Sequence, residues 1–291
     1  MHKQPPLAIR NAFTDPSEGS LETSRAEIAI FEINAIVQAD QDRLHSDDLR
    51  LEVALLEARC VSVEVLFILC GCGALDGTEI SEAVSTAVHL RQKGMKPLFY
   101  APDVQMCGVV DHLSKEMDRS GHGRNALVEA ARLARCCVKP LCECEACTHG
   151  ALIIPGGFGV ARTLSNFAAK GADCTVLPDL EKLIEDFYCE KKPIGSMCIA
   201  SAVIAKVLSG VKVTLGKESP KEEWPHAEAI KKVRDMGARL EMKDVRGVTR
   251  CKRYNVFSTP AWLYTCATYS EIHEGIGKMI GMLKKCVKKP T

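Results

Sequence analysis

At 291 residues the chain is long enough for one large domain, or one domain with an appendage. Apolar residues make up 46% and charged residues 26%, the balance of a soluble globular protein, and a net charge of +1 gives no electrostatic reason for a nucleic-acid partner. The longest apolar runs, such as Val65 to Cys70, are too short to span a bilayer, so no membrane insertion is expected.

Residues 1–62 differ in texture from the rest. Met1 to Ser24 carries Pro5, Pro6, Pro16, Ser17, Gly19 and Ser20 and reads as disordered. Ser24 to Cys60 reads as helical and acidic, with Ser24 and Glu27 in capping spacing and an apolar stripe from Ile28 to Val37. The reading favoured is a tail with a loosely docked helix. The 15 cysteines, odd in number in a long chain without the form of a secretory signal, are expected to be reduced thiols.

From Val61 the pattern becomes βα alternation. Val63 to Cys70 is a strand buried on both faces, and Thr78 caps a helix from Glu79 to about Lys93. Lys96 to Ala101 is a strand, His112 to His122 a polar loop, Arg124 to Arg135 a helix and Val138 to Leu141 a short strand. Ala151 to Pro155 is a buried strand running into Gly156-Gly157; Val160 to Lys170 and Leu180 to Glu190 are helical. Strands follow at Pro193 to Met197, Val211 to Leu215 and within Lys252 to Thr259, with helices at Ala202 to Leu208, Glu228 to Met236 and Leu263 to Lys285. Such alternation predicts an α/β fold, a mostly parallel sheet covered on both faces, with reactive groups beyond the carboxyl ends of its strands.

Three loops follow predicted strands and meet at that edge. Cys198, between the apolar run Ile194 to Met197 and a helix, has the form of a nucleophile elbow, although Ala200 stands where a glycine is usual. Its place at a helix N-terminus predicts a thiolate. Glu79 and Glu82 lie three apart at a helix start and share a face; either is placed to exchange a proton with the thiol, or both simply complement the helix dipole. The N–H groups of Gly156, Gly157 and Ile199 would form an oxyanion hole, and Cys72 lies in the first loop as a redox partner to consider.

These residues resemble a known family. Gly71-Cys72-Gly73, Asp76 to Ile80 with Glu82-Ala83, Ala101-Pro102-Asp103, Arg124-Asn125, Pro155 to Gly159, Leu164 to Ala168, Met197 to Ala200 and Thr259-Pro260-Ala261 are similar to the ES-one protein family, of mitochondrial ES-one and bacterial ElbB glyoxalase type. That family belongs to the Parkinsonism-protein/PfpI superfamily. The resemblance covers Val63 to Lys285 and implies a flavodoxin-like three-layer sandwich of the class I glutamine amidotransferase type over residues 63–291, with 1–62 as an extension. It implies Cys198 as nucleophile, Glu82 as its acidic partner and Gly157 in the oxyanion hole. It also implies a homodimer and a mitochondrial location, though the acidic extension is unlike a typical presequence and leaves the cytoplasm as the alternative. Cys70 stands for a usual serine, and Ser201 for a usual proline whose loss is expected to loosen the pocket edge.

A glutaminase needs a triad histidine, and Ser258-Thr259-Pro260-Ala261 and Gly216-Lys217-Glu218 offer none; His226 could reach the site only through a loop excursion. The expectation is therefore a cofactor-free glyoxalase-like thiol enzyme acting on a small aldehyde or ketoaldehyde. The alternative is a non-catalytic thiol redox sensor or chaperone-like protein. Cys136, Cys137, Cys142, Cys144 and Cys147 include a Cys-x-x-Cys pair, but no second pair follows and Cys142 and Cys144 alternate as on a strand, so no metal site is expected. His112, His122 and His149 read as solvated loop residues.

Overall fold

The computed structural model describes residues 63–119 and 122–288, so the helices read within 1–62 lie outside the described residues. Apolar, β-branched runs form the interior: β1 (Val63–Ile68), β4 (Ala151–Ile154) and β5 (Ile194–Met197) are almost wholly buried. With β2 (Met95–Ala101), β3 (Val138–Pro140), β8 (Thr249–Cys251) and β9 (Val256–Thr259) they build a seven-stranded sheet of order β3-β2-β1-β4-β5-β9-β8. All neighbours run parallel except β8 and β9, which form an antiparallel hairpin at the edge. Helices α1 (Ile80–Gln92) and α8 (Tyr269–Lys284) pack on each other, with α8 also against β5 and β9. Helices α5 (Pro178–Cys189) and α6 (Ala200–Val207) pack on each other and against β5. The remaining helices are α2 (Ala126–Leu133), the short α3 (Phe158–Arg162) and α4 (Phe167–Lys170), and α7 (Ala227–Asp235). This is the expected α/β architecture with a mostly parallel central sheet.

Register explains the site. Ile154 pairs with Ser196 and Met197 with Thr259, so two further steps along β4 and β5 set Gly156 beside Cys198. The order also reverses between β1 and β4, the switch point beyond whose carboxyl ends ligands are bound in open α/β sheets.

Several expectations are corrected. Val211 to Leu215 does not join the main sheet, because the position beside β5 is taken by β9; instead β6 (Lys212–Val213) pairs with β7 (Arg239–Leu240) in a separate two-stranded sheet. The cap of α1 is Glu79, whose carboxylate accepts from Glu82 N, while the Thr78 hydroxyl accepts from Cys70 N at 2.7 Å. Val160 to Lys170 is two short helices, since Ser165 turns back to bond Val160 O. Helix α8 starts at Tyr269, where Thr268 and Glu271 form a capping box, not at Leu263. Leu141–Glu143 is a 3₁₀ turn, so Cys142 and Cys144 do not alternate on a strand. Among the described residues no group of three or more His, Cys, Asp or Glu is close enough to hold a metal ion, and no helix is long and apolar enough to cross a membrane.

Candidate active site

Cys198 ends β5 with φ 54°, the left-handed conformation that a non-glycine residue adopts only under constraint. The constraint is visible: Cys198 N donates to Thr259 O at 3.0 Å, and Ser201 N reaches back to Cys198 O. The turn throws the side chain above the sheet edge, where it is 8% exposed. The Ser201 hydroxyl hydrogen-bonds Ser196 Oγ at 3.0 Å, a side-chain tie across the elbow.

Glu82 comes to this point from the first turn of α1 and is fully buried. Gly156 N donates to its Oε2 at 2.7 Å, Trp262 N approaches its Oε1 at 3.4 Å, and the Cys198 sulfur lies beside the same carboxyl, across Gly156. Burial, and next the nearby charge of Glu79, raise the Glu82 pKa from 4.5 to about 8. The carboxyl is thus poised to gain or lose a proton near neutrality, as an acid–base group must be.

The predicted thiolate is corrected. Burial and the Glu82 carboxylate push the Cys198 thiol well above its ordinary range, and the N–H groups of Ile199 and Gly157 only partly oppose them. A helix N-terminus favours an anion, but desolvation in a closed pocket outweighs it. Cys198 therefore rests as a thiol. The N–H groups of Gly157 and Ile199 nonetheless face the sulfur.

The first and second loops clasp each other. Glu79 N donates to Gly156 O, Phe158 N to Ala74 O and Gly159 N to Gly77 O. Glu79 also lines the cavity at Cys198; its carboxylate accepts from Ser81 Oγ at 2.7 Å and Glu82 N at 2.6 Å, and the Trp262 indole N–H donates to Ser81 Oγ at 2.7 Å. Glu79 thus caps the helix, and its charge helps to raise the pKa of Glu82.

No protein-family model matches the chain. It is 40% identical over 220 residues to the human glutamine amidotransferase-like class 1 domain-containing protein 3, mitochondrial, covering 75% of this chain and 81% of that protein. The rat ES1 protein homolog, mitochondrial, is 41% identical over 218 residues, 74% of this chain and 81% of the relative. The chain belongs to the ES1 family. A crystal structure of an isoprenoid biosynthesis protein with an amidotransferase-like domain from Ehrlichia chaffeensis is 31% identical and superposes with a TM-score of 0.70, covering 78% of this chain and 100% of that one. The glyoxalase III of Candida albicans, 12% identical with a TM-score of 0.51, shares the fold.

In this ES1-family chain the cavity over Cys198 is about 460 Å³ and is walled by Phe158, Phe167, Trp262, Arg162, Lys232 and His226, among others. None of these six is legible as a site residue from spacing. Trp262 had a signal, since it follows Thr259-Pro260-Ala261, and the left-handed Ala261 (φ 48°) aims its backbone at Glu82. His226 lines the cavity by way of the loop excursion that the sequence required of it. Trp224 stacks on Gly216 and folds the loop back, so His226 reaches the cavity at the start of α7, whereas Lys217 lines a different hollow. Burial lowers the His226 pKa from 6.5. Its imidazole resonances should accordingly titrate below 6.5 by NMR, with the assignment made by their disappearance in His226→Gln; a midpoint at or above 6.5 contradicts the burial.

Cys72 does not belong to this cavity. It is half-buried, with Glu129, Arg132 and Asp76 as its charged neighbours. The Cys70 thiol approaches Gly159 O at 3.5 Å. His149, expected to be solvated, is buried edge-on against Tyr100, and His112 bonds Leu75 N and Val110 O.

Proposed function

We propose that this protein is a cofactor-independent thiol enzyme that converts α-oxoaldehydes to hydroxy acids, glyoxal to glycolate in the simplest case. The observation that carries the reading is the Cys198 sulfur lying beside the buried Glu82 carboxyl, the two 2.9 Å and 2.7 Å from the point where a Cβ on Gly156 would stand, with burial raising that carboxyl to about 8. In the reaction the ionised form of Glu82 takes the thiol proton as the sulfur adds to the aldehyde carbon, and passes it to the new hemithioacetal oxygen, which frees the carboxylate for the next step. The C–H proton then leaves that carbon and is returned to the neighbouring carbonyl carbon through Glu82, leaving a thioester. Water cleaves the thioester and restores the thiol, so the aldehyde carbon is oxidised and its neighbour reduced with no outside electron carrier. The N–H groups of Gly157 and Ile199 hold the oxygen as charge develops.

Assay of glyoxal consumption and glycolate release tests the reading. Wild type should turn over, and Cys198→Ala and Glu82→Gln should each lose turnover. A wild type inert toward every α-oxoaldehyde, with peroxide oxidation mapped to Cys198, would replace the enzyme with the redox-sensor reading. A buried neutral thiol argues against that rival, because oxidation-sensing cysteines are exposed and low in pKa. Glutamine hydrolysis stays disfavoured, since Glu82 rather than a triad histidine lies beside the thiol.

Mitochondrial residence is proposed on the relatives, three of which are named mitochondrial. A homodimer is proposed on α1, where Ile80, Val84 and Val88 repeat every fourth residue and are 45%, 51% and 41% exposed. Val84→Arg should then halve the mass measured by light scattering, while an unchanged dimer moves the interface elsewhere.

A further inference from the structure

Glyoxal is too small for this cavity. At about 460 Å³ the space falls within the roughly 300–1,000 Å³ that encloses drug-sized ligands, and glyoxal has only four non-hydrogen atoms. A molecule that size leaves most of the aromatic wall of Phe158, Phe167 and Trp262 facing water.

The charges along the wall are unevenly engaged. Arg162 is half-buried, stacked over the Phe158 ring at 5.4 Å, with Nη1 reaching only the Met117 sulfur at 3.8 Å. Lys232 is half-buried with its stem against Gly171. Among the described residues neither cation has a carboxylate within ion-pair distance. The acids of the same wall are otherwise accounted for. Glu79 accepts from Ser81 and Glu82 N, and Glu228 is exposed in the first turn of α7, where it complements the helix dipole. Two partly desolvated cations beside an aromatic wall form a receptor for an oxyanion on a flat or extended body.

We infer that the preferred substrate is an α-oxoaldehyde on a larger, aromatic-sized body that ends in an oxyanion, with its carbonyl end at Cys198 and its anion read by Arg162 and Lys232. This rests on the thiol-enzyme reading for the chemistry, though not for the anion recognition.

Initial rates with the full chain test it, using glyoxal, 4-carbamoylphenylglyoxal and 4-carboxyphenylglyoxal, with mass spectrometry to confirm that no arginine adduct has formed. The carboxylated compound should exceed the carbamoyl compound and glyoxal in kcat/KM by at least tenfold. Arg162→Gln and Lys232→Gln should each cut that rate at least fivefold, mostly through KM, and leave the carbamoyl compound unchanged. Equal rates for the acid and the amide, or variants that slow both alike, overturn the inference. If nothing is turned over, the enzyme reading fails, and calorimetric binding of the product 4-carboxymandelate still reads the wall. Tighter binding than 4-carbamoylmandelate, lost in Arg162→Gln, upholds the anion receptor; equal binding overturns it.

Discussion

Gly156→Ala should reduce turnover at least a hundredfold without replacing either reacting side chain. A methyl at residue 156 would sit 2.7 Å from Glu82 Oε2 and 2.9 Å from Cys198 Sγ, and closer still to Cys198 Cβ. Neither neighbour is a loose chain end. Cys198 is pinned in a left-handed turn by Thr259 O, and Glu82 is buried and held by Gly156 N itself. The methyl must therefore break the thiol–carboxyl contact, and displacements of about 1 Å can cost on the order of a hundredfold in rate. Overpacking should also cost about 1–3 kcal/mol of stability. Gly210→Ala is the control. Gly210 has positive φ (76°) but open space around it, so the substitution should cost about 1 kcal/mol and leave turnover intact. Equal activity loss in both variants, or none in Gly156→Ala, would falsify the close contact.

The same contact shows what was legible in the sequence. Apolar β-branched runs at Val63 to Ile68 and Ala151 to Ile154, and the small residues around Cys198, are local signals, and the sheet edge they imply was readable together with its cysteine. Pairing is not local. Val211 to Leu215 reads as a strand for the main sheet because nothing within it reveals that β9 already lies beside β5. The protonation state of Cys198 is likewise set by burial and by Glu82, a residue 116 positions away, against the helix N-terminus that the local sequence displays. Thr78 and Glu79 are adjacent candidates for one cap, and Cys70 N decides between them by occupying the threonine. His226 was visible but placed too far away, since only the packing of Trp224 on Gly216 folds its loop back.

Stability should fall as pH rises toward 8 in wild type and much less in Glu82→Gln. Glu82 titrates at about 8 in the folded protein and near 4.5 when free. Between those values the folded state keeps a proton that the unfolded state has released, so the derivative of unfolding free energy with pH is negative there. The stabilisation is complete below about pH 4.5 and lost as pH climbs through about 8. At about 1.4 kcal/mol per tenfold change in proton concentration, the window amounts to several kcal/mol. Glutamine keeps an acceptor for the N–H groups of Gly156 and Trp262 but cannot ionise, so the difference between the two urea-denaturation curves isolates this one group. Glu82→Gln should gain on wild type steadily from pH 5 to pH 8, with the measurement kept below pH 8.5 so that the free thiols of the unfolded chain do not intrude. Parallel curves would mean that the carboxyl is already ionised in the folded protein. Glu82 would then accept the Cys198 proton without first releasing its own, and turnover would not rise as pH climbs toward 8.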